Sequence, residues 1–414
     1  MITAVIAIVL ALLFFAATVL EVINPDIGTF LVFISVLAAL ILKDRKKVKR
    51  EGIVLIRRTT RGREFIDRMQ KRHSGTWSVL SKIGVAVGIA FLVIGTLFLA
   101  SQSMKIIAGE KEGGVRLLLP GPVSQPNADV PGLFIFPWWI WVIGIAFVII
   151  PHEFMHGIMC RLEGIRIKSV GWILLLVIPG AFVEPDEKQL QKAKRSTKLK
   201  VYAAGSFANI VIAFVIFAVF AGIFAASSIP SGLAVATIEG TPAHIAGLRG
   251  VITSINGHEI RNSDDLGNIL SLYKPGDTVT VTTIDKFHVT PHFDGISPRP
   301  VAVSDGAEQE YKVMLADKNE TGKAYLGVSP LMEGYSTALP ASAFASVSVF
   351  FMWIYLFSLG IGIVNLLPLK PLDGGLLFEE IVGRFTPKHK IIVNAVSSVM
   401  LLMLLFNILG PIFL

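Results

Sequence analysis

The stretch AFVIIPHEFMHGIMC, residues 146–160, is an apolar run that holds two histidines and a glutamate. An ionisable side chain at the centre of a membrane helix costs roughly 2.5–3.5 kcal/mol, even on the gentler insertion scale. Three such groups within one turn and a half therefore need a use. On a helix, positions four apart share a face, so His152 and His156 point the same way. Two imidazoles at that spacing suit one zinc ion, with Glu153 beside them as general base. The plainer alternative, polar residues satisfied inside a helix bundle, leaves the burial cost with nothing to offset it. Pro151 predicts a kink or a fresh helix start just before His152, which would make room for water.

The rest of the chain fits a membrane setting. Of 414 residues, 53% are hydrophobic and 16% charged, against about 25% charged in soluble domains. Mean hydropathy is +0.67. The lone Cys160 excludes an intrachain disulfide and a Cys-based zinc finger. The first residues lack a basic n-region and read as a retained membrane segment. About seven stretches approach the roughly 20 apolar residues of a spanning helix: 2–20, 27–42, 83–100, 133–160, 201–226, 339–367 and 391–414.

The loop 43–82 carries 14 Lys/Arg against 4 Asp/Glu. Such loops stay cytoplasmic, which places the N-terminus inside and fixes the rest by alternation. The charge reads as a topology determinant, and no nucleic-acid partner is expected. The fourth segment then runs inward, with Trp138, Trp139 and Trp141 at its outer interface. Arg161 follows His152 by nine residues, or roughly 13 Å, so the polar cluster lies within the membrane on its cytoplasmic side. Residues 171–183, GWILLLVIPGAFV, are too few to span and read as a partly inserted hairpin or strand on that side.

Residues 227–338 differ in kind, with 8 Lys/Arg against 13 Asp/Glu. By alternation they lie outside. TSINGHEI signals a tight turn, KPGDTVTVTTI a strand, and DDLGNILSLY a short helix with an Asp cap. The Pro- and Gly-rich stretch 287–307 reads as a loop insertion. His288 and His292 share the four-residue spacing but fall in that stretch and are not expected to bind metal.

The pattern needs a third ligand at the same depth. GIVNLLPLKPLDGG, residues 362–375, offers Asp373 at the inner end of the sixth segment. Pro368 and Pro371 would end the helix, and Gly374–Gly375 would give a tight turn. A broken helix end frees backbone amides for a substrate strand or an oxyanion.

Here the sequence resembles the site-2 protease family of intramembrane zinc metalloproteases. HEFMH fits the family's HExxH, and NLLPLKPLDGG its Asn-x-x-Pro and Leu-Asp-Gly motif. AAGSFAN, with Gly205 and Asn209, is similar to its small-residue helix motif. AFVEPDEKQL resembles the segment after its re-entrant hairpin. Residues 231–328 are similar to the PDZ domains inserted in many members, with SGLAV as the carboxylate-binding loop; the usual Gly-Asp after the AGL turn is absent from LRGVITSI. Lys370 also departs from the pattern, placing a cation three residues from Asp373.

The resemblance implies that His152, His156 and Asp373 bind one catalytic Zn2+, that Glu153 is the general base and then acid, and that Asn365 contacts substrate or the developing oxyanion. It implies a polytopic α-helical membrane protein of about seven spans with a re-entrant hairpin and an extracytoplasmic α+β PDZ-like domain. Four parts follow: N-terminal segments 1–132 with the cytoplasmic loop 43–82, a first protease part 133–226, the PDZ-like domain 227–338 and a second protease part 339–414. The expected function is cleavage of transmembrane segments of membrane proteins by a multi-pass protein of the cell membrane, with a peptide as the PDZ-like domain's ligand. A metal-ion transporter would explain the buried ligands but needs polar residues at more than one depth. A non-catalytic PDZ scaffold would have no need of Glu153.

Overall fold

The computed structural model describes residues 2–44, 46–110, 115–121, 133–175, 178–293, 297–318 and 321–413. The chain divides into two compact units, Met1–Ala213 with Leu356–Leu414, and Phe214–Tyr355.

The first unit opens with two apolar helices packed together, α1 (Ile2–Val19) and α2 (Pro25–Lys43). Asn24 starts α2 by accepting the Asp26 N–H at 2.9 Å, and Pro25 takes the first position, where no N–H is needed. The basic loop is more than a charge signal. It forms a hairpin, β1 (Val48–Glu51) and β2 (Val54–Thr59), and a helix α3 (Arg61–Arg72) before the long α4 (Ser74–Ile107). A parallel pair follows, β3 (Leu117–Gly121) and β4 (Leu133–Pro137).

Helix α5 (Trp138–Leu162) carries HEFMH. Pro151 lies inside it and starts no new helix, contrary to one of the two sequence expectations. The expected hairpin is present as β5 (Ile167–Leu175) and β6 (Ile178–Pro185), antiparallel. What the sequence did not announce is that β2 pairs with β5, making an antiparallel sheet in the order β1-β2-β5-β6. Gly171 permits this pairing, since a Cβ there would lie 2.1 Å from the Arg57 carbonyl. The fully buried Ile66 of α3 sits against Gly157 of α5, where a Cβ would meet it at 2.7 Å. Arg161 of α5 makes a forked ion pair with Asp67 of α3. The short α6 (Glu187–Lys192) leads into α7 (Arg195–Ser227).

The second unit is a β-rich insert. It contains β7 (Ser228–Thr237), α8 (Pro242–Ile245), β8 (Val251–Ile255), β9 (His258–Glu259), α9 (Ser263–Leu270) and β10 (Thr278–Ile284). Next come β11 (Phe287–His292), β12 (Arg299–Ser304), β13 (Glu308–Met314), β14 (Ala316–Asp317), β15 (Ala324–Tyr325) and β16 (Val328–Thr337). The main sheet runs β11-β12-β16-β7-β8-β10-β13. Its core is aliphatic, with Leu233, Ile252, Ile255, Val279, Val281 and Leu326 almost wholly buried. The Asn-Gly turn is as expected, with Asn256 and Gly257 at φ 49° and 79°. The cap of α9 is Asn262 and not an aspartate. The stretch 287–307 contains a hairpin and not only a loop. Pro291 is tolerated because β11 is an edge strand, where a missing N–H breaks no ladder.

The chain ends with α10 (Ala341–Asn365), α11 (Asp373–Val382) and α12 (His389–Phe413). Six helices, α2, α4, α5, α7, α10 and α12, are long and apolar enough to cross a membrane. The first expected segment, 2–20, holds a shorter apolar stretch of α1, Val5–Val19. The sequence LDGG makes no tight turn. Asp373 opens α11, and Gly374–Gly375 lie in its first turn, where a Cβ would stand 2.2 Å from the Leu366 backbone and 2.6 Å from that of Leu369. Those glycines let α11 fold back on the chain that leaves α10.

Candidate metal centre

The centre is built where α5, α7 and α11 meet. His152 and His156, one turn apart on α5, bring their Nε2 atoms to 3.2 Å. Asp373, at the start of α11, places Oδ2 3.3 Å from His152 Nε2 and 3.2 Å from His156 Nε2. The three donors form a nearly equilateral triangle. A tetrahedral zinc ion with bonds of about 2.0–2.1 Å has its ligand atoms about 3.3–3.4 Å apart. These residues are also the group of possible metal ligands found among the described residues.

The surroundings set the imidazole tautomers. The Val201 carbonyl can only accept, so His156 Nδ1–H donates to it at 2.8 Å. In the neutral ring, His156 Nε2 therefore turns a lone pair toward Asp373. His152 Nδ1 faces the amide of Asn209 at 3.1 Å. Asn209 is fully buried and its Oδ1 has no partner. The two ends of an amide are distinguished only by their hydrogen bonds. Turned over, the Asn209 oxygen accepts from His152 Nδ1–H and leaves Nε2 as an acceptor. One amide end stays unmatched in either sense, but only this one makes all three atoms acceptors that converge on a cation. Such outer hydrogen bonds fix ring orientation and ligand basicity. Ser206 Oγ donates to Asp373 Oδ2 at 3.3 Å. Two imidazole nitrogens and a carboxylate oxygen are a donor set suited to zinc, and the residues present fit that ion.

Helix α7 contributes the third wall, and sequence reasoning undervalued it. Gly205 faces both rings so closely that a Cβ would lie 2.3 Å from His156 Nε2 and 2.6 Å from His152 Nε2. The AAGSFAN motif was the available signal, since Gly205, Ser206 and Asn209 fall on one helical face.

Glu153 is half-buried beside the cluster, and its Oε2 accepts the Val183 N–H at 3.0 Å. Strand β6 is the sheet's edge, so this N–H is not needed by the ladder. Asn365 is the last residue of α10 and half-buried; no hydrogen bond joins it to the cluster among the described residues. Lys370 turns to Glu379 of α11 at 2.5 Å, so its charge is taken up there rather than by Asp373.

A metal-ready cluster carried on apolar helices, with a carboxylate at its side, defines a membrane metalloprotease class. The family description "Peptidase family M50" matches residues 140–407, and the chain belongs to this family, the site-2 proteases. An uncharacterized protein of Methanocaldococcus jannaschii is 23% identical over 85% of this chain and 85% of its own. An Arabidopsis thaliana membrane-bound transcription factor site-2 protease homolog is 27% identical over 38% of this chain and 29% of its own. A Rickettsia conorii protein provisionally named a zinc metalloprotease is 22% identical over 64% of this chain and 95% of its own. Among solved structures, the PDZ domain of an SdrC-like protein from Listeria monocytogenes aligns with 24% of this chain and 88% of its own. At 17% identity and a TM-score of 0.18, that likeness does not establish the fold of the insert. Family membership supports zinc metalloprotease function in a multi-pass membrane protein.

Proposed function

We propose that the protein is an intramembrane endopeptidase in which His152, His156 and Asp373 hold one zinc ion and Glu153 moves the proton. The observation that carries this reading is the triangle of donor atoms at tetrahedral-edge spacing with a carboxylate beside it. Zinc held by His152, His156 and Asp373 would supply a Lewis acid for the scissile carbonyl and would bring the pKa of water down to about 7. Glu153 takes a proton from the attacking water and passes it to the leaving amine. Val183 N–H fixes one carboxylate oxygen and leaves the other for that water.

A helical peptide bond is shielded by its own hydrogen bonds, so the substrate must unwind. The outer edge of β6 suits an extended segment by strand addition. Since Val183 N–H points outward, the two-residue period makes Ala181 the other outward donor, while Pro179 and Pro185 have none. The edge is therefore short and lies beside α5. Asn365 is the further residue proposed to meet substrate. The PDZ-like insert would act as a size filter outside the membrane, or take a trimmed peptide end.

Glu153→Gln tests the chemistry. With a tagged membrane substrate, cleavage should fall by at least 100-fold, the lower range for general acid–base catalysis, while bound zinc stays near one per chain. Full cleavage by that variant would refute the proposal.

A further inference from the structure

A cavity of about 400 Å³ lies beside the hairpin, and none of His152, His156 and Asp373 lines it. Leu37, Leu40 and Ile41 form one wall, at helical spacing on α2; Trp172, Leu174 and Pro179 form the other. Lys43, Asp44 and Arg57 line its end. Asp44 Oδ2 holds Arg57 Nη2 at 2.6 Å, which offsets one positive charge. Lys43 has no ion pair among the described residues, and the buried Arg57 Nε has no partner. The end of the groove thus keeps one uncompensated positive charge and a spare donor. Helix α2 is apolar enough to span and ends at Lys43. The charged end therefore lies at headgroup depth, the apolar walls lie at acyl-chain depth, and Trp172 has the amphipathic ring favoured between them.

We propose that this groove binds one anionic phospholipid, with an acyl chain between α2 and the β5–β6 hairpin and the phosphate on Lys43 and Arg57. An exposed apolar groove alone would take any lipid chain. The unpaired lysine and the orphaned guanidinium N–H select a negative headgroup.

Full-length protein in detergent, titrated with dioleoyl phosphatidylglycerol or dioleoyl phosphatidylcholine and read by native mass spectrometry, tests this. The expected result is one retained phosphatidylglycerol per chain, favoured over phosphatidylcholine by about fivefold, the effect of one basic residue near a lipid surface. Lys43→Gln should abolish the preference and Lys43→Arg should restore it. Leu40→Trp, which fills the apolar part, should weaken retention of both lipids. Equal binding of the two lipids by the wild type, or a preference unchanged in Lys43→Gln, overturns the proposal. So does glycerol phosphate that competes as well as the whole lipid. A photo-crosslinker at position 37 that captures an added transmembrane peptide in place of lipid would assign the groove to substrate and also overturn it.

Discussion

At the residue scale, the missing side chain of Gly205 sets how closely α7 approaches the two candidate histidine ligands. Gly205→Ala would place a methyl group 2.3 Å from His156 Nε2, so one ring must move. Bound zinc should fall well below one per chain, measured by metal analysis beside His156→Ala and Asp373→Ala. A full complement in Gly205→Ala would mean that α7 can back away. Asn209→Leu keeps the volume but removes the hydrogen bond to His152. Zinc affinity should drop by about 10–100-fold, the usual effect of losing such a partner, as read by chelator competition. Glu163, just beyond α5, gives a pH dependence. Burial favours its neutral form, yet Lys200 Nζ at 2.6 Å and Thr197 Oγ1 at 2.7 Å hold it below its ordinary value of 4.5. A depressed carboxyl contributes stability above its unfolded pKa and loses it as pH falls through the folded value. Glu163→Gln should therefore lower the thermal midpoint near neutral pH, by an amount that shrinks below about pH 4.5. A deficit that does not change with pH would tell against this.

At the element scale, two short pieces control the centre. Helix α11 holds Asp373 at one end, and its far end is tied to α7 by Lys198 Nζ and Glu380 Oε1 at 3.0 Å. Both side chains are under one fifth exposed. Glu380→Gln should lower the unfolding free energy by roughly 1.5–3 kcal/mol, the range for a hydrogen bond to a charged group. Strand β6 is the other piece. Ala181→Pro removes the last outward donor at an edge position where proline is tolerated. Cleavage should fall about fivefold, the value of one net hydrogen bond, with zinc content unchanged. Undiminished cleavage would remove the β6 edge from the substrate path. The hairpin itself was legible in residues 171–183, because they were too few to span and too apolar for a free loop. Its pairing with β2 was not, because no local pattern in a basic loop tells which distant strand it meets.

At the scale of the whole molecule, the insert begins and ends on paired strands, with Ser228 opposite Thr337. A short linker replacing residues 229–336 can therefore join α7 to α10. The shortened protein should keep its zinc, since every ligand and outer partner lies in the other unit. It should also cleave substrates with bulky external domains that the full chain rejects; unchanged size selection would remove the filter role. By itself the sequence determined the membrane class, put His152 and His156 on one helical face and offered Asp373 as the third candidate ligand. Hydropathy and the four-residue period are local properties, readable without the fold. Only the tertiary structure decided that Asp373 opens a helix instead of closing one, that Gly205, Ser206 and Asn209 surround the ligands, and that Val183 holds Glu153. Those contacts join residues 30 to 167 positions apart, and they are set by how close three backbones come, which no single stretch of sequence encodes.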